Sequence, residues 1–393
     1  MKPRKSTLLA AVMILVAIFA INFASAQIWA PTSAPSNNWQ SVVSSADGTK
    51  LFAIVDPGTI YSSSDSGTNW NAVTDPQLSH LAWQAIASSA DGTWLLAAPQ
   101  SGWIYSSTNS GVNWIRQTNL PAATWSAVAL SADGKKLFAF GHPMYISSDS
   151  GATWTTNNLP FQYGGSAVVS ADGNTLAFAG QGYPALIYTS TNGGAAWVTN
   201  SMPFYIMGIA SSADGEKLTV PILGGGIYTS TNSGTTWSVT TAPNIPWRAI
   251  ASSADGNNLW ATANYGGGGS IYSSTDAGAT WVSNDVPSLH WNSLASSADG
   301  SRLFAAVSVY NSATGPIFTF ESPPPLRLNL QRSGNGGTLG WIIPSRPYSV
   351  QQSADLLNWA DVTNAPAVNF NALQNSLTVP ITSQNNFFRL RFH

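Results

Sequence analysis

The tetrapeptide Ser-Ala-Asp-Gly occurs seven times in this chain, with its aspartate at Asp47, Asp91, Asp133, Asp172, Asp214, Asp255 and Asp299, spaced by 44, 42, 39, 42, 41 and 44 residues. A second motif recurs six times and ends at Trp70, Trp114, Trp154, Trp197, Trp237 and Trp281; its forms include Ser-Ser-Asp-Ser-Gly-Thr-Asn-Trp and Ser-Thr-Asn-Gly-Gly-Ala-Ala-Trp. Each unit reads as an alternating strand such as Trp83–Ser89, a hairpin turn at Ala-Asp-Gly, and a short apolar strand such as Leu51–Val55. A third strand such as Ile60–Ser62 and a polar turn follow, and a fourth strand starts at tryptophan. Glycine suits the hairpin because it takes positive φ without a side-chain clash. Four short strands repeating at this period predict the blades of a β-propeller. The expected fold class is all-β, a seven-bladed propeller followed by a small β-sandwich-like domain.

Seven hairpin turns against six copies of the second motif leave the last unit without a fourth strand. Trp29 precedes Trp39 by ten residues, the same spacing as Trp237 to Trp247 and Trp281 to Trp291. Ile28–Ala30 is therefore expected to supply that strand beside Ile317–Phe320, joining the two ends and removing an exposed pair of edges. The expected organisation is a signal peptide over 1–26, the propeller over 27–322, a stiff Pro-Pro-Pro linker at 323–325 and a small β domain over 326–393.

The first 26 residues read as an export signal. Lys2, Arg4 and Lys5 precede an apolar run from Leu8, and Ala24-Ser25-Ala26 fits a cleavage site before Gln27. No later stretch is long and apolar enough to span a bilayer, so the mature chain is expected to be exported, whether secreted, periplasmic or on the cell surface. Residues 28–320 carry 7 basic and 14 acidic groups, a balance that argues against nucleic acid as partner. The absence of cysteine excludes disulfides, thiolate nucleophiles and Cys-ligated zinc. No cofactor and no metal are expected; His80, His142 and His290 fall in different blades, too scattered to converge on one ion.

The second motif resembles the Asp-box, or BNR repeat, of bacterial neuraminidases and their relatives. The likeness rests on six copies in one register, with Asp65, Asn109, Asp149, Asn192, Asn232 and Asp276 at the diagnostic position. It implies a folding element on the outer hairpin, away from the ligand face. The whole repeat is also similar to exported bacterial BNR-repeat proteins and to photosystem II assembly factor-like propellers, which implies protein binding. It does not bring the sialidase active site. That chemistry needs three convergent arginines, and the propeller holds Arg116 on an outer strand, Arg302 after a hairpin turn and Arg248 alone near the opposite mouth.

Antiparallel blades sort their loops by parity. The Ser-Ala-Asp-Gly turns and Asp-boxes are expected at one end, and the loops between strands two and three at the other, with the crossings between blades. That second end varies in length, the longest loops being Gly180–Pro184, Asn264–Gly269 and Ser308–Pro316, and variable loops on a rigid scaffold are where ligands are met. Trp39, Trp83, Trp125, Trp247 and Trp291 start innermost strands there, while Gly164 and Ile206 take that place in blades 4 and 5. These tryptophans either wedge between blades as burial devices or, with Arg248, form a ligand-binding ring for a protein or glycan. The alternative function is glycoside hydrolysis by a carboxylate pair drawn from Asp56, Asp75 and Asp285, with His80 and His290 nearby; plain turn chemistry explains the same residues.

Overall fold

The computed structural model describes residues 29–157, 164–265, 268–308, 314–322, 328–333, 336–342, 348–354, 358–369, 373–380 and 387–392. The leader, Ile28, the linker at 323–325 and parts of two long loops lie outside the described residues. Every regular element named below is a strand, and no helix among the described residues is long and apolar enough to cross a membrane.

Each repeat builds one antiparallel sheet. In repeat 1, Trp39–Ser44 pairs with Leu51–Val55, which pairs with Ile60–Ser63, which pairs with the outermost Asn71–Ala72. The second strand is buried at every residue, because neighbouring sheets cover both its faces; that is why it reads as a continuous apolar run. The outermost strand is short and exposed. The other six repeats give sheets of the same order, two with a fifth short strand, Ser101–Gly102 or Leu223–Gly225, contributed by the loop between strands two and three of the preceding repeat.

The Ser-Ala-Asp-Gly turn performs two jobs. Within a repeat, Ser45 Oγ donates to Asp47 Oδ1 at 2.6 Å and accepts the Lys50 amide at 3.0 Å, while Asp47 Oδ1 takes the Thr49 amide at 3.0 Å. Between repeats, the alanine amide donates to the next alanine carbonyl. Ala46 bonds to Ala90, Ala90 to Ala132, Ala132 to Ala171, Ala171 to Ala213, Ala213 to Ala254, Ala254 to Ala298, and Ala298 back to Ala46, each at 2.7–2.9 Å. This cycle of backbone bonds satisfies polar groups that water could not reach easily, and it runs once around the central axis.

A second set of contacts locks each sheet onto the next. The residue three places after each aspartate lies over the following turn's glycine. Lys50 covers Gly92, Trp94 covers Gly134, Lys136 covers Gly173, Lys217 covers Gly256, and Arg302 returns to Gly48. The charged members also reach polar groups there: Lys50 Nζ donates to Asp91 O at 2.8 Å, and Lys217 Nζ to Asp255 O at 2.8 Å. Arg302 donates to Ser66 Oγ at 2.8 Å and pairs with Glu321 at 3.0 Å.

The first described strand completes the last repeat. Trp29–Pro31 pairs antiparallel with Phe318–Phe320, Trp29 opposite Phe320, in a sheet with Thr314–Glu321, Arg302–Ser308 and Trp291–Ser296. Trp29 stacks on Phe320 with ring centroids 5.2 Å apart and lies 6.1 Å from Trp291. Beyond residue 328 the strands form two further sheets, one of Asn329–Ser333, Gly336–Ile342, Gln374–Pro380 and Ala367–Asn369, the other of Ala360–Asp361, Tyr348–Ser353 and Phe387–Phe392. Leu339, Trp341, Leu377 and Val379 of the first pack with Val350 and Phe388 of the second in a core of their own.

Candidate functional site

The two ends of the ring differ in kind. The Asp-box turns and the Ser-Ala-Asp-Gly turns share one end, joined by hydrogen bonds: Ser66 N to Thr49 O, Ser110 N to Thr93 O and Ser150 N to Lys135 O at 2.8–3.0 Å, and likewise in the later repeats. In each Asp-box the serine and the Asp or Asn side chain cap the turn. Ser147 Oγ donates to Asp149 Oδ1 at 2.8 Å, and Asp149 accepts the Thr153 amide at 2.8 Å and hydroxyl at 2.6 Å. Hydrogen bonds from Thr153 and Ser147 hold the Asp149 carboxyl down at about 2, and those from Thr280 and Ser274 do the same for Asp276. Asn192 keeps the arrangement without a charge, accepting the Ala196 amide at 2.8 Å.

The central channel is lined by small and aliphatic groups from all seven inner strands, including Val42, Ile86, Val128, Ile209, Ile250 and Leu294, and no charged side chain lines it among the described residues. At the turn end it opens into a space of about 200 Å³ bordered mainly by serines and alanines, with Leu130, Val169 and Leu373. Leu373 and Ile342, from beyond residue 328, pack against the Ala46 and Ala298 cluster.

The five inner tryptophans are at the other end, and all are buried: Trp39, Trp247 and Trp291 are 0% exposed, Trp83 and Trp125 1%. Four meet a tyrosine of their own third strand edge-on, as Trp39 meets Tyr61 at 5.2 Å and Trp247 meets Tyr272 at 5.1 Å; Trp291 meets Phe318 at 5.3 Å. Four indole N–H groups donate to backbone carbonyls, those of Gly315, Leu78, Gly102 and Pro243. The ligand-binding reading of Trp39, Trp83, Trp125, Trp247 and Trp291 is corrected accordingly: these rings are wedges between sheets with no face left for a ligand.

Arg248 is exposed beside Trp247, with Nε and Nη2 donating to Asn292 Oδ1 at 3.1 and 2.9 Å. Asp56, Asp75 and Asp285 stand apart in their bonding. Asp75 caps its own turn by accepting the Gln77 amide at 2.9 Å. Asp285 and His80 are exposed, and His290 is half-buried. No hydrogen bond or ion pair joins any two of these five among the described residues. Burial raises the Asp56 carboxyl above its ordinary range, but no partner is brought to it. No group of three or more potential metal ligands converges among the described residues.

The loop end instead exposes aromatics of blades 4 and 5, the two whose inner strands lack tryptophan. Tyr183 is 71% exposed, Phe204 and Tyr205 47% each and Leu223 42%. The Tyr183 and Tyr205 rings are 6.5 Å apart, and the Leu223 amide donates to Tyr205 O at 2.9 Å. Ile206 occupies the tryptophan position and is buried, bridging Ile222, while Tyr205 beside it is exposed. Positions 181–184, 203–207 and 223–226 hold no charged residue. The missing tryptophans were the sequence signal for this patch. Of the three long loops, Gly180–Pro184 contributes Tyr183. Asn264–Gly269 is mostly strand, with 266–267 outside the described residues, and so are 309–313 of the third.

No protein-family model matches the chain, and no curated protein matches it in sequence. Solved structures do. The β-propeller domain of Myceliophteria thermophila Cps50 (Swd1) superposes with a TM-score of 0.60 at 14% identity, over 75% of this chain and 100% of that one. The fold is a β-propeller. A structure of YCF48 bound to D1 peptide gives a TM-score of 0.57 at 14% identity, over 75% of this chain and 96% of that one. The Niastella koreensis GH74 enzyme gives 0.58 at 15% identity, over 80% of this chain but 59% of that one. Identities this low establish fold alone.

Proposed function

We propose that this chain is an exported, non-enzymatic binding protein: a seven-bladed Asp-box propeller over 27–322, closed by its N-terminal strand, carrying a small C-terminal β domain over 326–393. Its loop end recognises a segment of another protein. The carrying observation is the cluster of Tyr183, Phe204, Tyr205 and Leu223, four large apolar side chains exposed together in an uncharged neighbourhood. Exposed aromatics grouped in this way mark interaction sites, and rigid aromatic anchors supply most of the energy in such interfaces. The YCF48 structure with a bound peptide supports a propeller of this kind taking a peptide ligand.

The test is to probe peptide and glycan arrays with the mature chain. Peptides rich in aliphatic and aromatic residues should bind, and Phe204→Ala or Tyr205→Ala should weaken binding at least tenfold, as loss of anchors costing more than about 1.4 kcal/mol does. Arg248→Ala should weaken it too, whereas Asp149→Ala should lower stability and leave the affinity of folded protein unchanged. Glycan binding without peptide binding would refute a protein ligand. The glycoside hydrolase alternative keeps one favourable observation, the raised Asp56 carboxyl, in the direction a general acid needs. Turnover of a polysaccharide panel that disappears in Asp56→Asn, Asp75→Asn or Asp285→Asn would establish it over the binding reading.

A further inference from the structure

At five seams between neighbouring blades, a polar side chain near the end of one outer strand ties the next Asp-box. Asn119 donates to Gly151 O, Asn157 to Gly194 O and Asn200 to Gly234 O, each at 2.7 Å. Thr241 donates to Ala279 O at 2.7 Å, and Ser33, arriving from the closing strand, to Thr68 O at 2.6 Å. The seam from blade 1 to blade 2 is different. Val73, Thr74 and Asp75 occupy the tying positions, and among the described residues none of their side chains reaches Gly111 or its neighbours. The crossing is also longer here, with 13 residues from Trp70 to Trp83. Where the tie is absent the surface opens into a groove of about 490 Å³ between Asn71–Asp75 and Gly111–Trp114. That lies within the range of small-molecule sites, roughly 300–1,000 Å³.

The groove's chemistry is specific. Asn71, Thr74 and Asn113 are exposed, and their side chains make no hydrogen bond among the described residues. Asp75 Oδ1 accepts the Gln77 amide, and its other oxygen has no partner there. On the Gly111–Trp114 wall, beside Asn113, Val112 is 74% exposed and the half-buried Trp114 ring is fixed by its N–H bond to Gly111 O at 3.1 Å. Two amides, a hydroxyl and a carboxylate give alternating donors and acceptors, beside an apolar and aromatic wall. No cation lines the groove, so an anionic ligand has no counter-charge. The outer strand Asn71–Ala72 is two residues long, too short to template an added peptide strand.

We infer that the seam between blades 1 and 2 is a binding site for a neutral oligosaccharide, its hydroxyls on Asn71, Thr74, Asp75 and Asn113 and a C–H face of a sugar ring on Val112 and Trp114. This site is separate from the aromatic cluster at the loop end.

The test is calorimetric titration of the mature chain with cellotetraose, maltotetraose, xylotetraose and mannotetraose. At least one should bind saturably. Asn71→Ala and Asn113→Ala should each weaken that binding about tenfold, the loss expected for one or two hydrogen bonds to an exposed ligand. Thr74→Asn, which restores a tying side chain, should abolish it without lowering the melting temperature. Tyr205→Ala should leave it unchanged. No saturable binding of any of the four, or binding indifferent to all three groove variants, would overturn the inference. Binding lost in Tyr205→Ala and kept in the groove variants would overturn it too, and would move the sugar to the loop end.

Discussion

Replacing Trp29 by alanine tests whether the strand Trp29–Pro31 closes one cooperative ring. The indole is half-buried, stacked on Phe320 at 5.2 Å and tilted against Trp291 at 6.1 Å. Full burial of such a ring makes truncation cost about 3–5 kcal/mol. Half-burial brings the transfer and cavity part to roughly 2 kcal/mol, and the lost aromatic stack adds about 0.5–1.5 kcal/mol. A loss of about 3 kcal/mol in a domain of this size lowers the melting temperature by roughly 6–9 °C. The comparison is Trp70→Ala, at the equivalent place in blade 1, where the strand is already continuous with its own sheet. If the ring unfolds as one unit, calorimetry should show a single transition shifted by similar amounts in both variants. A Trp29→Ala shift below 2 °C beside a large Trp70→Ala shift would mean that the closing strand is not needed, and the argument from ring closure would fail.

Two further perturbations address the turn end. Gly134 has φ +71° and a Cβ there would stand 2.4 Å from the Trp94 ring, so Gly134→Ala should destabilise by more than about 2 kcal/mol in denaturant titration, whereas Gly193→Ala, equally left-handed but uncrowded, should cost about 1 kcal/mol. Asp149 and Asp276 have carboxyls held at about 2 against an ordinary 3.8, so their contribution is complete above the higher value and disappears as the pH falls toward the lower; the double Asp149→Asn, Asp276→Asn variant should keep the turns and show a flatter loss of stability between those two values in acid-unfolding curves.

The architecture was legible because each element of it repeats. Leu51–Val55 is an unbroken apolar run and is buried at every residue; the Asp-box serine and aspartate fall where turn chemistry puts them. Trp29 could be placed on the last sheet from a ten-residue spacing alone, and it is found opposite Phe320. The site was harder to read because function departs from the repeat. Tryptophan at a strand start looks the same whether it faces a ligand or a neighbouring sheet, and the deciding fact, burial of the ring against a tyrosine two strands away in its own sheet, is a side-chain packing that strand periodicity does not specify. Tyr205 is exposed beside a buried Ile206, whose isolated bridge to Ile222 no repeat motif announces. The open seam at Thr74 is visible only once the ties at Asn119, Asn157 and Asn200 are seen to be bonds.

Parity also explains why the two ends could diverge so far. Every hairpin at the turn end is committed: its serine and aspartate to each other, its alanine to the cycle of backbone bonds, its glycine to a side chain from the preceding blade. Leu373, itself at φ 50°, borders the space beneath that cycle. A substitution in these hairpins disturbs the turn and the adjoining blade together. The loops at the opposite end join neighbouring blades through backbone pairs, as Leu223 with Pro246 and Gly102 with Ala123. Their side chains can change without breaking the ring, which is why the exposed aromatics stand there.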